Sequence, residues 1–218
     1  MRRPGEFCVM TSASRLRLIA FALASVLAAT PALAHHVMDG ELPSTFMQGL
    51  LSGLGHPIIG LDHLAFVMAL GIGAALLQGP LVVIATFVTM SIAGVLIHLA
   101  QLDIPMVEPL VSFSVLLAGL ALIWSRSVAG SVWLAFAAIA GLLHGYAFGE
   151  SIVGAERAVV GAYLLGLAIV MAAIALAIAW GTRRIVGADG VASPTLRVAG
   201  AVVGCVGAAL LVSTLLPG

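Results

Sequence analysis

Six apolar runs, each about as long as a helix that crosses a ~30 Å hydrocarbon layer, occupy most of this chain and leave it few ways to fold. They cover roughly residues 57–77, 81–99, 107–124, 131–148, 158–180 and 196–215. In lipid every backbone N–H and C=O must find its partner within the structure, so runs of this kind become helices. The connections are short, except 181–195, and leave no room for a soluble domain. Only 8% of the residues are charged, against about 25% in an ordinary soluble domain. The expected class is an all-α integral membrane protein, a bundle of six transmembrane helices. Lysine is absent and nine arginines balance nine acids, so there is no basic stripe for nucleic acid.

The first 34 residues read as targeting. Arg2, Arg3, Arg15 and Arg17 make a positive leader, and 18–29 is an apolar core about as long as a signal-peptide h-region, too short to span. Thr30-Pro31-Ala32-Leu33-Ala34 supplies an A-x-A cleavage site, and an uncleaved anchor is the alternative. Cleavage removes Cys8 and leaves His35-His36-Val37-Met38-Asp39-Gly40 as an exported start, with 35–55 an exported segment ahead of a transmembrane domain over 56–218. Ser44 or Thr45 is placed to cap a short helix, 46–55, expected at the interface. Pro57 suits the first turn of a new helix, where its missing N–H costs nothing. Cys205 lies far from the polar residues, so neither cysteine points to a thiolate site.

Orientation follows from the arginines. With an exported start, the inner loops hold Arg126, Arg183 and Arg184, with Arg197 at their edge, and the outer loops hold only Arg157. Trp124, Trp133 and Trp180 fall at the inner ends, as an interfacial belt requires, and both termini are expected in the periplasm of an inner-membrane protein. In this topology His56, Asp62, His63, His98, Glu108, His144 and Glu150 all lie toward the outer side. An ionisable side chain at bilayer depth costs about 2.5–3.5 kcal/mol on insertion scales, so such a cluster is a functional-site hypothesis.

Histidine with carboxylate is ligand chemistry for a borderline divalent metal. On a continuous helix His56 and His63 would share a face about 10 Å apart, too far for one ion unless Pro57 and Gly60 distort the backbone. Asp62 would point about 120° away from His56, placed to orient His63 or to serve a neighbour. His144 leads a stretch whose Gly141, Gly145 and Gly149 allow close helix contact, with Glu150 following. Glu108 is placed for a helix N-terminus, favoured by the dipole, or for transport. His98 is the weaker candidate, more readily a structural histidine, and the methionines read as packing.

Together, His56-x5-Asp62-His63, Glu108 ahead of Ser-x-Leu-Leu-x-Gly, and His144-Gly145-x-Ala147-x-Gly149 resemble the HupE/UreJ family. That family comprises small bacterial membrane proteins regarded as nickel, sometimes cobalt, permeases serving hydrogenase and urease. The resemblance covers essentially the whole mature chain and implies functional positions at His56, Asp62, His63 and His144, with Glu150 beside them. The chain departs from the family pattern in carrying Phe148 where a second histidine is common and Ser151 where the glutamate is expected. Glu150 is therefore six residues from His144, off its helical face unless Gly149 breaks the helix. Residues 35–43 are also similar to the start of CbiM-type cobalt and nickel uptake components. That similarity implies a chelate from the free amine of His35, the amide nitrogen of His36 and the His36 imidazole, with His35 and His36 as solvated residues the alternative.

The expected function is a non-enzymatic permease for Ni²⁺ or Co²⁺, with the ion as substrate and no cofactor permanently bound. Its partners are the divalent ion and the bilayer, with a homo-oligomer and a metalloenzyme maturation system compatible with the sequence. No ATP-binding motif names an energy source. The alternatives are an intramembrane zinc-dependent hydrolase, with the cluster holding an activated water, and a haem carrier using His63, His98 or His144 in pairs.

Overall fold

Thr45 opens the first helix with a capping box: its hydroxyl accepts from the Gln48 N–H at 3.2 Å, and Gln48 Oε1 accepts from the Thr45 N–H at 3.2 Å. A cap of this kind contributes about 0.5–2 kcal/mol. The computed structural model describes residues 42–124, 128–186 and 194–216, so the leader, His35, His36 and Arg126 lie outside the described residues. Those described form seven α-helices: α1 (Phe46–Ile59), α2 (Leu61–Ala75), α3 (Pro80–Leu99), α4 (Val107–Ile123), α5 (Gly130–Gly149), α6 (Arg157–Val186) and α7 (Pro194–Leu215). A 3-10 turn, Glu150–Ile152, follows α5, and no strand occurs among the described residues.

The expectation of a new helix starting at Pro57 is corrected. Pro57 lies inside α1, and the break comes at Gly60, where α1 and α2 meet at 78°. Proline removes one backbone donor and crowds the carbonyl four residues back, and here the helix continues one more turn before parting. Gly60 has φ −71° and ψ 110°, donates its N–H to His56 O at 3.1 Å and accepts from Leu64 N at 2.9 Å, closing one helix and opening the next. A β-carbon at Gly60 would stand 2.6 Å from the His63 ring, which keeps the position a glycine.

Four helices, α3, α5 with its turn, α6 and α7, are long and apolar enough to cross a membrane, and the bent α1–α2 pair makes up to five. At 17 residues α4 is apolar but shorter. Exposed Leu81, Val82, Ile139, Leu165, Ile169 and Leu176 suit contact with acyl chains. The protein is an all-α integral membrane protein.

Three helix pairs pack side by side, α3 with α5, α4 with α7 and α1 with α6, and α2 touches all six other helices. Each pair meets backbone to backbone at glycine: a β-carbon at Gly145 would strike Ser91 O, one at Gly119 the Gly204 backbone, and one at Gly53 Tyr163 O. α2 is the buried centre: Ala65, Phe66, Val67, Ala69 and Leu70 are buried, and a stripe of Leu64, Met68 and Ile72 is partly exposed, so it is apolar on all sides along this stretch. Its last carbonyl and the loop beyond it are received by Arg183, whose Nε donates to Ala75 O at 3.0 Å and whose Nη2 donates to Leu77 O at 2.8 Å. Trp133 departs from the expected belt: Trp124 and Trp180 are exposed, but Trp133 is 2% exposed and its indole lies against Gly73 of α2. Position along a helix sets depth, not the face presented, and Trp133 faces inward.

Candidate functional site

The elbow at Gly60 bends the seven-residue interval between His56 and His63 by 78°. Their ring centroids lie 5.9 Å apart, in place of the roughly 10 Å of a straight helix. Asp62 stands in the first turn of α2, where one carboxylate oxygen accepts from the His63 N–H at 2.8 Å and lies 3.8 Å from His63 Nε2. These three side chains form one wall of a cavity of about 90 Å³. Val107, Glu108 and Val111 of α4 form a second wall, and Ala147, Glu150 and Ser151 close it from the end of α5. α5 tightens into a 3-10 turn after Gly149, which brings Glu150 to the cavity although it sits six residues from His144. Five sequence candidates, His56, Asp62, His63, Glu108 and Glu150, thus meet around one space.

His144 reaches the site differently. It is wholly buried behind His63, with its Nδ1 2.8 Å from His63 Nδ1 and its Nε2 2.8 Å from Ser114 Oγ. Ser114 in turn donates to Val111 O at 2.7 Å. His56 is held by a second network: its Nδ1 lies 3.1 Å from both Ser151 Oγ and the Tyr163 hydroxyl, which donates to Phe148 O at 2.9 Å. The Phe148 ring is wedged between the two histidines, 4.1 Å from His63 and 5.2 Å from His56. Beneath the site an aromatic column descends from His144 through Phe66 at 4.5 Å, then Phe136 and Trp133.

His98 is not part of this assembly. Its ring lies 4.4 Å from that of Tyr146, and its Nδ1 is buried with no hydrogen-bond partner among the described residues. Ser114 and Tyr163 are site residues that sequence reasoning did not name, and Phe148 and Ser151 were named only as departures from the family pattern. Ser114 opens the Ser-x-Leu-Leu-x-Gly stretch, so its signal was a hydroxyl inside an apolar run. Chemically, the cavity offers imidazole nitrogen and carboxylate oxygen to a cation. Among the described residues no three His, Cys, Asp or Glu side chains are close enough together to hold one metal ion as they stand.

A family model described as HupE / UreJ protein matches residues 23–210. The chain is also 32% identical over 188 residues to Protein HupE of Rhizobium leguminosarum bv. viciae, a match covering 84% of this chain and 93% of that protein. No solved structure matches it.

Proposed function

The chain belongs to the HupE/UreJ family, and on that footing we propose that it is a permease importing Ni²⁺ or Co²⁺ across the bacterial inner membrane. One observation carries the reading: two imidazoles and three carboxylates, from the α1–α2 elbow, α4 and the end of α5, converge on one cavity of an otherwise apolar bundle. Nitrogen and carboxylate oxygen are donors that suit these ions. The donors line the cavity without forming a closed cage, and conduction requires binding strong enough to admit an ion yet weak enough to release it. The cavity opens toward the periplasm in this proposal, with Arg183 and Arg184 at the cytoplasmic ends, and the chain crosses six times when the α1–α2 pair and α4 each count as a span. The membrane potential then favours inward movement by about 2.3 kcal/mol per charge per 100 mV. His35 and His36, if freed by cleavage after Ala34, add a chelate at the same side, and the imported ion supplies metalloenzyme maturation.

The test is uptake of radiolabelled Ni²⁺ and Co²⁺ by whole cells. His63→Ala and Asp62→Asn are each expected to lower uptake by about tenfold to a hundredfold, the range for losing a ligand's support or the ligand itself, with membrane abundance unchanged. Full uptake in both variants would overturn the proposal.

A further inference from the structure

Hydrogen positions along the chain from Val111 to His63 follow from counting protons. Ser114 Oγ and Val111 O are 2.7 Å apart. Two oxygens at that separation repel unless a proton lies between them, and a carbonyl has none to give, so the single hydroxyl proton of Ser114 points at Val111. Toward His144 Nε2, at 2.8 Å, Ser114 can then only accept, and Nε2 carries hydrogen. His144 Nδ1 is left as the acceptor in its 2.8 Å contact with His63 Nδ1, so His63 donates from Nδ1. The proton of a neutral His63 is thereby placed on its inward nitrogen, and the lone pair on Nε2, the nitrogen 3.8 Å from the cavity-lining Asp62.

We infer that Ser114 is a positioning residue: acting through His144, it holds His63 in the tautomer that presents the Nε2 lone pair to the cavity. His144 is then no ligand, since both its nitrogens are engaged within the bundle; it transmits the choice made at a backbone carbonyl of α4 to a ring on α2. Ordinarily a metal-ligating histidine is fixed by a carboxylate or carbonyl on its other nitrogen. Here the carbonyl is two side chains removed, which lets a deeply buried imidazole face a polar cavity without a charge behind it. That Nε2 serves a metal ion rests on the permease reading; the tautomer does not.

Nuclear magnetic resonance of the full chain in lipid nanodiscs, labelled with ¹⁵N in its histidine rings and free of metal, separates the two. Loss of a signal pair in His63→Gln assigns the ring. The expected result is a proton on Nδ1 of His63 in the unaltered protein, a redistribution toward Nε2–H in Ser114→Ala, and recovery in Ser114→Thr, which keeps the hydroxyl. Ni²⁺ affinity of the same samples should fall about tenfold in Ser114→Ala and return in Ser114→Thr. A His63 proton on Nε2 in the unaltered protein, or a Ser114→Ala spectrum identical to it, overturns the inference whatever the affinity. The expected tautomers with no Ni²⁺ or Co²⁺ binding would uphold the inference and sink the permease reading instead.

Discussion

The two ends of α2 solve the same problem in opposite ways. At its start, His63 and Asp62 face a cavity shared with His56, Glu108 and Glu150; the His63 ring is held by His144 of α5, and the Asp62 carboxylate by the His63 N–H of α2 itself. At its end, about 15 Å along the axis, Gly73 lies against the Trp133 indole, and the last carbonyl and the loop beyond it are received by Arg183. Helices pack against one another in lipid through close contact of small and apolar residues, which is what the Trp133 end does. The cavity end adds polar groups that packing does not need and that lipid penalises. Such groups are a functional-site hypothesis, and removing parts of either end tests that division.

The largest effect is expected at Trp133→Ala. Deleting a fully packed indole costs about 3–5 kcal/mol, read as a lowered unfolding midpoint in detergent, while Ni²⁺ affinity of the protein that remains folded stays unaltered. An affinity loss would mean that the two ends are not separable. Next comes Gly60→Ala. Its φ of −71° is open to any residue, so backbone strain is absent, but the new β-carbon would stand 2.6 Å from the His63 ring and 3.1 Å from Asp62. Uptake should fall about tenfold or more as the ring is displaced, with little change in the unfolding midpoint. Smallest is Arg183→Ala, which removes two hydrogen bonds from an exposed arm and should cost about 1 kcal/mol, visible in the midpoint and not in uptake.

Much of the cavity end was legible in the sequence because ionisable residues in apolar runs are rare enough to stand out. His56, Asp62, His63, Glu108 and Glu150 were all visible in that way, and the structure collects them. What the sequence did not disclose is how a straight-helix separation of about 10 Å collapses. Proline at 57 pointed to a helix start, and Gly60 was visible only as a possible distortion, whereas the turn falls at Gly60, where a side chain would meet the His63 ring. Ser114 and Tyr163 were passed over, and Ser151 was noted only where a glutamate was expected, because hydroxyls are common in membrane helices and acquire meaning only through a partner 2.8–3.1 Å away on another helix. His144 was legible as a candidate, but not its place behind the cavity instead of at its edge. α4 follows its apolar run closely, starting at Val107 after the left-handed Met106 and ending at Ile123, one residue before the run expected over 107–124 does.

The glycine contacts bear on stiffness. Where Gly145 meets Ser91, Gly119 meets Gly204 and Gly53 meets Tyr163, backbone lies directly on backbone with no side chain between to absorb a shear. Sliding either rod past the other drives rigid peptide groups into collision, and a close-packed interior has no slack to take up the displacement. The six outer helices therefore act mechanically as three twin beams. α2 is tied to the α1–α6 beam in the same way, through Gly71 against Ala175 O, but meets the α3–α5 beam through side chains, Phe66 on Phe87 and the Trp133 indole on Gly73, so the central rod is pinned to one beam and cushioned against another.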